Sequence, residues 1–195
     1  MSLSLARCVE AVARLLDDCG SLEPLRLCLS AGDVQAEVCA SGPAASLSMA
    51  LLAAASGAEA ADGIEDCHDG VITVDLEEGV VLVAAVDAPM GRGAPGLRTT
   101  STAAAAGLLR TLGPWTDALD QALLPGVQLW VEDHGQDFTI RLLATAASGE
   151  DLESVAKAAG TGLEHVRTWH TDSGRDGRGS LPCGRHVHLA IVCLS

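Results

Sequence analysis

An α+β fold, with antiparallel strands covered by helices, is what this sequence predicts, and three observations carry the prediction. Apolar residues recur at helical spacing near the start of the chain, after position 101 and after position 148. Between those stretches stand pairs of short alternating segments separated by turn residues. One strand, acidic turn, strand pattern also occurs twice: Gly70-Val-Ile-Thr-Val-Asp-Leu-Glu-Glu-Gly79 and, 56 positions later, Gly126-Val-Gln-Leu-Trp-Val-Glu-Asp-His-Gly135. The expected order is α-ββ-α-ββ-α-ββ-α-β with a worn internal repeat, and helices between hairpins favour an antiparallel sheet covered on one face.

Each element has its own signal. Leu5, Cys8, Val9, Val12, Leu15 and Leu16 form an apolar stripe, with Arg7, Glu10, Arg14 and Asp17 on the other side, so an amphipathic helix opens the chain and Gly20 ends it. Leu25, Leu27 and Leu29 alternate with polar or small residues, Gly32 and Asp33 make a turn, and residues 34–38 alternate again, which predicts a hairpin over 25–39. Ser41-Gly-Pro43 is a helix entry for a stripe of Leu47, Ala50, Leu51 and Ala54. Residues 71–76 and 80–86 are the first copy of the repeated hairpin, and the second of these strands is so continuously apolar that cover on both faces is expected. Residues 89–98 read as a linker. An Ala-rich helix follows from Ser101 to Leu112, where Pro114 either breaks it or begins a second segment through Leu124. The second hairpin takes residues 127–131 and 138–143. Ser148-Gly-Glu-Asp151 reads as a capping box for a helix with the stripe Leu152, Val155, Ala159, Leu163 and Val166, weakened by Gly160 and Gly162. Residues 172–184 read as a low-complexity loop before a last strand at 187–194. The expected division is a first α+β unit at 1–124 and a second ββ-α-β portion at 125–195 packed on it.

Composition narrows the function. The chain has 195 residues, 48% of them hydrophobic, enough to build a core without staples, yet only 2% aromatic, with Phe138 as its one Phe and no Tyr. Stacking platforms for single-stranded nucleic acid are therefore scarce. The formal net charge is −14, and residues 1–90 hold fifteen Asp or Glu against three Arg. Such a field repels phosphate backbones and anionic lipid heads, so neither nucleic acid nor membrane is expected as a partner, and a basic partner would be steered in. Seven cysteines, an odd number with no CxxC, and an opening without a basic leader before an apolar stretch predict reduced thiols and a cytoplasmic protein. No apolar run reaches membrane-spanning length.

Chemistry-bearing constellations are few. His170, Cys183, His186 and His188 are the metal candidates; His186 and His188 would share a strand face, and Cys with His suits zinc, but the spacing matches no zinc knuckle and no second Cys pair stands by. Gly174-Arg-Asp-Gly-Arg-Gly179 lacks the Lys-Ser/Thr ending of a phosphate loop. Glu65, Asp66, His68 and Asp69 lie in an acidic connection and read as a solvated surface. No Gly-x-Ser-x-Gly occurs, so no enzyme and no cofactor are expected. Trp115, Trp130 and Trp169 read as core anchors; exposure of one at a sheet edge would mark a binding hot spot.

The opening helix, the hairpin at 25–39, the helix ending in Leu51-Leu52-Ala-Ala-Ala, the strand pair at 70–86, the helix near Trp115 and the acidity together resemble the class I chaperones of type III secretion, over residues 3–120. The resemblance implies a non-enzymatic chaperone or adaptor that holds an extended segment of a partner, a secreted effector, on exposed strands, with Leu25, Leu27, Leu29, Val34 and Val38 facing it. The chain is longer than that family by its last portion, which would stand in for a dimer mate, so homodimer and pseudo-dimer are both open. Two other readings remain: a roadblock or longin-like scaffold for a small GTPase, and a small metal-dependent enzyme built on the C-terminal His and Cys residues.

Overall fold

In the computed structural model, residues 4–19, 25–30, 35–40, 54–55, 71–76, 80–86, 102–124, 126–133 and 138–194 are described. Among the described residues the helices α1 (Leu5–Asp18), α2 (Thr102–Gln121) and α3 (Leu152–Ala159) accompany nine strands. The strands are β1 (Leu25–Ser30), β2 (Gln35–Ala40), β3 (Val71–Asp75), β4 (Val81–Val86), β5 (Gln128–Asp133), β6 (Phe138–Ala146), β7 (Glu164–Thr171), β8 (Gly174–Ser180) and β9 (His186–Cys193). They form one sheet in the order β3-β4-β2-β1-β5-β6-β9-β8-β7. The α+β class holds, but the sheet is mixed: β2 pairs β4 and β6 pairs β9 in parallel. A parallel pair needs a crossover. Between β6 and β9 the chain supplies it with α3, which lies against β6, β9 and β8.

The last third differs most from expectation. The helix after position 151 stops at Ala159, where Gly160 is its C-cap and Gly162 takes φ +84°, so Leu163 and Val166 leave the helical stripe and residues 164–171 become β7. The expected loop contains β8, and the chain ends α3-β7-β8-β9. Gly177 and Gly179 earn their places there, since a Cβ would lie 3.0 Å from the Thr168 Cγ2 and 2.9 Å from the Leu163 Cδ1 respectively. The Ser148 hydroxyl donates to the Asp151 carboxylate at 2.7 Å and Asp151, the N-cap, makes no side-chain cap bond, so the expected capping box does not form. Pro114 sits inside α2, which runs on without a break. Residues 54 and 55 are helical, while the rest of the stripe expected at 47–54 lies outside the described residues.

The expected repeat of the hairpins at 70–79 and 126–135 does not match the strand pairing, which instead follows an approximate two-fold through the centre of the sheet. β1 and β5 cross antiparallel at the centre of the sheet with Cys28 opposite Trp130, so a two-fold about that point carries Leu27 to Leu129 and Leu29 to Val131. Following the ladders outward, the same operation carries Ala36 to Ile140, Leu82 to Val187 and Val74 to Gly179. The connections agree: Leu76 N–H donates to the Val80 carbonyl at 2.7 Å, and Leu181 N–H donates to the Arg185 carbonyl at 2.8 Å. Buried positions Leu5, Cys8, Val9, Val12, Leu15 and Leu16 of α1 likewise match Ala105, Leu108, Leu109, Leu112, Trp115 and Thr116 of α2. Thus β1–β2 corresponds to β5–β6, whereas β3–β4 corresponds to β8–β9; the hairpins at 70–79 and 126–135 are not counterparts. The two halves divide between β4 and α2, and β7 is an added edge strand.

The core lies between the helices and one sheet face. Leu27, Leu29, Leu82, Leu129, Val131, Ile140, Leu142, Val187, Leu189 and Ile191 point into it, against the buried stripes of α1, α2 and α3. Helices α1 and α2 run antiparallel, each end tied to the other: Asp120 accepts from Leu5 N–H at 2.8 Å and Ala6 N–H at 2.9 Å, and the Thr102 hydroxyl donates to the Cys19 carbonyl at 2.9 Å. Trp115, 1% exposed, anchors α2 to α3 through its indole N–H and the Ala159 carbonyl. Among the described residues no helix is long and apolar enough to cross a membrane.

Candidate binding surface

Period-2 alternation gives each strand a second face, and in β5 to β9 no helix among the described residues packs on that face. On β6, Ile140, Leu142 and Ala144 are buried while Arg141 is exposed and Thr139, Leu143 and Thr145 are half-buried. On β9, Val187, Leu189 and Ile191 are buried; His186 is exposed, and His188, Ala190 and Val192 are half-buried. The parallel and antiparallel registers align these outward residues into rows. One row runs Trp130, Arg141, His188, Arg178, Arg167 from β5 to β7. The next runs Gln128, Leu143, Ala190, Asp176, Trp169.

At the end of the sheet, β7 is paired by β8 on one side, and among the described residues no strand pairs its other side. Its register shifts between Glu164 and Arg167, with His165 at φ +53°. Such bulges are common at sheet edges and re-aim side chains. Trp169 is 45% exposed and Val166 38% exposed on this strand. Of the three tryptophans, Trp115 is the core anchor expected, Trp130 is half-buried on that second face, and Trp169 is not a core residue at all.

A shallow depression of about 430 Å³ lies between β7, β8 and β9, bounded by His165, Arg167, Arg178, Ser180, His186 and His188. His186 Nδ1 stands 3.2 Å from the Ser180 hydroxyl. Burial first, and then the Arg178, Arg141 and His186 charges, hold the His188 imidazole below its ordinary range, because each disfavours a further positive charge. A second hollow of about 670 Å³ lies on the outer side of α1 and α2. There Arg14 pairs Glu10 at 3.0 Å, and Arg110 reaches out to Asp17, holding that carboxyl below the usual range through its hydrogen bonds.

The residues singled out by sequence meet different fates. Leu27 is 2% and Leu29 0% exposed, both in the core, so neither faces a partner. β1 is hydrogen-bonded by β2 and β5, and β2 by β1 and β4, which leaves neither strand an open edge. Val34 and the side chains of Leu25 and Val38 lie outside the described residues. His186 and His188 do share a face, as alternation requires, but His170 belongs to the opposite face, where Arg175 donates to its Nε2 at 3.0 Å. Cys183 is exposed in the turn before β9, and among the described residues no three His, Cys, Asp or Glu side chains gather as a metal would need. Sequence reading missed Arg141, Arg167, Arg178 and Trp169 as a set, because they come from different strands, two of them in segments read as helix and loop. In comparisons with known protein families, curated proteins and solved structures, this chain matches none.

Proposed function

We propose that this chain is a non-enzymatic binding module, a chaperone or adaptor, that holds an extended segment of a partner protein along the outer edge of β7. The observation that carries the reading is Trp169: a large aromatic side chain, 45% exposed, on an eight-residue edge strand. An edge offers unpaired N–H and C=O groups to an incoming strand, and an exposed Trp beside it supplies the kind of apolar anchor that dominates binding energy. The mode of binding is that of the class I type III secretion chaperones, moved from β1 and β2 to β7. The internal two-fold supports the idea that one chain does what two copies do elsewhere, its second half standing where a dimer mate would.

Selection from a random peptide library on the intact chain tests this. Selected peptides should protect backbone amides of β7 from hydrogen exchange, and Trp169→Asp should abolish their binding while circular dichroism stays unchanged. Protection confined to α1 and α2, or binding indifferent to Trp169→Asp, overturns the reading.

A further inference from the structure

The second half of a chain with net charge −14 turns three arginines outward in one line. Arg141 lies opposite His188, His188 opposite Arg178, and Arg178 opposite Arg167. With strands about 4.8 Å apart, the four positions span roughly 14 Å. Like charges directly opposite one another destabilise a sheet. Among the described residues, Arg14 pairs with Glu10, Arg110 with Asp17 and Arg175 with Glu153. Arg141, Arg167 and Arg178 make no ion pair among the described residues, and no carboxylate stands within their row. Asp176 and Glu132 border the row only diagonally, so like charges still face one another along it on an exposed surface, which points to charge supplied from outside.

Resting on the reading that this sheet surface binds a partner protein, we propose that the row Arg141, His188, Arg178 and Arg167 docks an acidic, partly apolar segment of another polypeptide. Its carboxylates meet the guanidiniums, which suit bidentate pairing. Its apolar side chains rest on Leu143, Ala190 and Trp169 in the neighbouring row, on the same face, with Asp176 between the last two fixing where the segment's carboxylates are kept out. That apolar border is what favours a peptide over nucleic acid, since a phosphate backbone would continue past a row of three guanidiniums into the field of an anionic protein. His188 adds a dependence on pH. Facing it are Arg141 from β6, Arg178 and Asp176 from β8, His186 from its own strand and, beyond Arg178, Arg167 and His165 from β7. Docked carboxylates would offset the positive neighbours and let His188 take up a proton, so binding tightens as pH falls below neutrality.

Fluorescence anisotropy with a labelled synthetic peptide of alternating glutamate and leucine is the direct measurement, beside a threonine–valine peptide and a single-stranded DNA oligonucleotide as comparators. The glutamate peptide should bind best, tighten on acidification, and weaken about tenfold or more with Arg178→Glu and with Arg141→Glu. Arg178→Gln guards against misfolding of the reversed charge and should weaken it less, and Arg14→Glu, on α1, should leave it unchanged. Equal binding of the glutamate peptide to Arg178→Glu overturns the proposal. So does tighter binding of DNA, or a self-association in ultracentrifugation that Arg178→Glu abolishes, which would give the row to a second copy of the chain. If the threonine–valine peptide binds through β7 with no gain from glutamate, the row fails while the edge reading stands; if no peptide binds, both fail.

Discussion

The carboxylate of Asp120, near the end of α2, accepts the backbone N–H of Leu5 at 2.8 Å and so caps the first turn of α1 from 115 positions away. Ser4 caps the same turn locally, its hydroxyl oxygen accepting the Arg7 N–H at 3.2 Å. Helix N-termini leave orphan donors, and an acidic acceptor there also meets the positive end of the helix dipole. At the other end of the pair, Thr102 serves the carbonyl of Cys19. The two halves of the chain are thus tied by polar groups at both ends of their facing helices.

Removing these ties lowers stability without touching the sheet. Asp120→Ala should cost about 1–2 kcal/mol, and Asp120→Asn less, because an amide oxygen still accepts one of the two bonds. Thr102→Val, which removes the hydroxyl that donates to the Cys19 carbonyl, should cost about 1 kcal/mol. Urea unfolding of the two single variants and the double measures this, and the effects should add to within about 0.5 kcal/mol, since the sites lie at opposite helix ends.

Glycine at 174 is a matter of space. A Cβ there would lie 2.0 Å from the carbonyl oxygen of Ile191, with φ at +154°. Gly174→Ala should therefore open the β8–β9 ladder and cost roughly 2 kcal/mol or more. Gly184 has φ +83° and nothing within 4 Å of its would-be Cβ, so Gly184→Ala should cost only about 1 kcal/mol, from backbone strain. Thermal denaturation of both variants compares the two mechanisms, and equal losses would contradict the geometry.

Thiol labelling should follow burial. Desolvation first, then the neighbouring Cys28, pushes the Cys8 thiol up to about 12, and desolvation followed by Asp18 pushes Cys19 to about 11. Both are buried and hold almost no thiolate at neutral pH, whereas Cys183 is exposed. Brief alkylation followed by peptide mapping should label Cys183 and spare Cys8 and Cys19, which react only once the chain is unfolded.

Acid should destabilise the protein partly through His188. Its folded-state pKa is depressed, so the unfolded chain takes up the proton first as pH falls below about 6.5. The contribution is fully present above that value and is lost as pH drops through the folded pKa. His188→Gln should flatten this part of the stability profile, and Arg178→Gln should bring the His188 titration, followed by NMR, back toward its ordinary range.

Much of the local structure was legible because one period dominates each segment. The stripe of α1 buries one face, and the hairpins expected at 25–39 and 127–143 pair where the pattern places them. Residues 164–180 were not legible, for a physical reason. Val166 continues a helical spacing that only Gly160 and Gly162 interrupt, and Gly174-Arg-Asp-Gly-Arg-Gly179 looks like a loop until Leu163 and Thr168 are seen to occupy the space its glycines leave. The choice of Leu27 and Leu29 as partner-facing failed because alternation reveals that a strand has an apolar side, not whether helix or solvent covers it.

By itself the sequence determined the class of the fold, the opening helix, the hairpins at 25–39 and 127–143 and the acidic character, since these follow from periodicities and charges within a few turns of chain. Only the tertiary structure decided the parallel pairs, the two-fold of the sheet and the alignment of Arg141, His188, Arg178 and Arg167, because each depends on which distant strands become neighbours. Crossover connections and the packing of α3 make that decision, and no spacing along the chain encodes it.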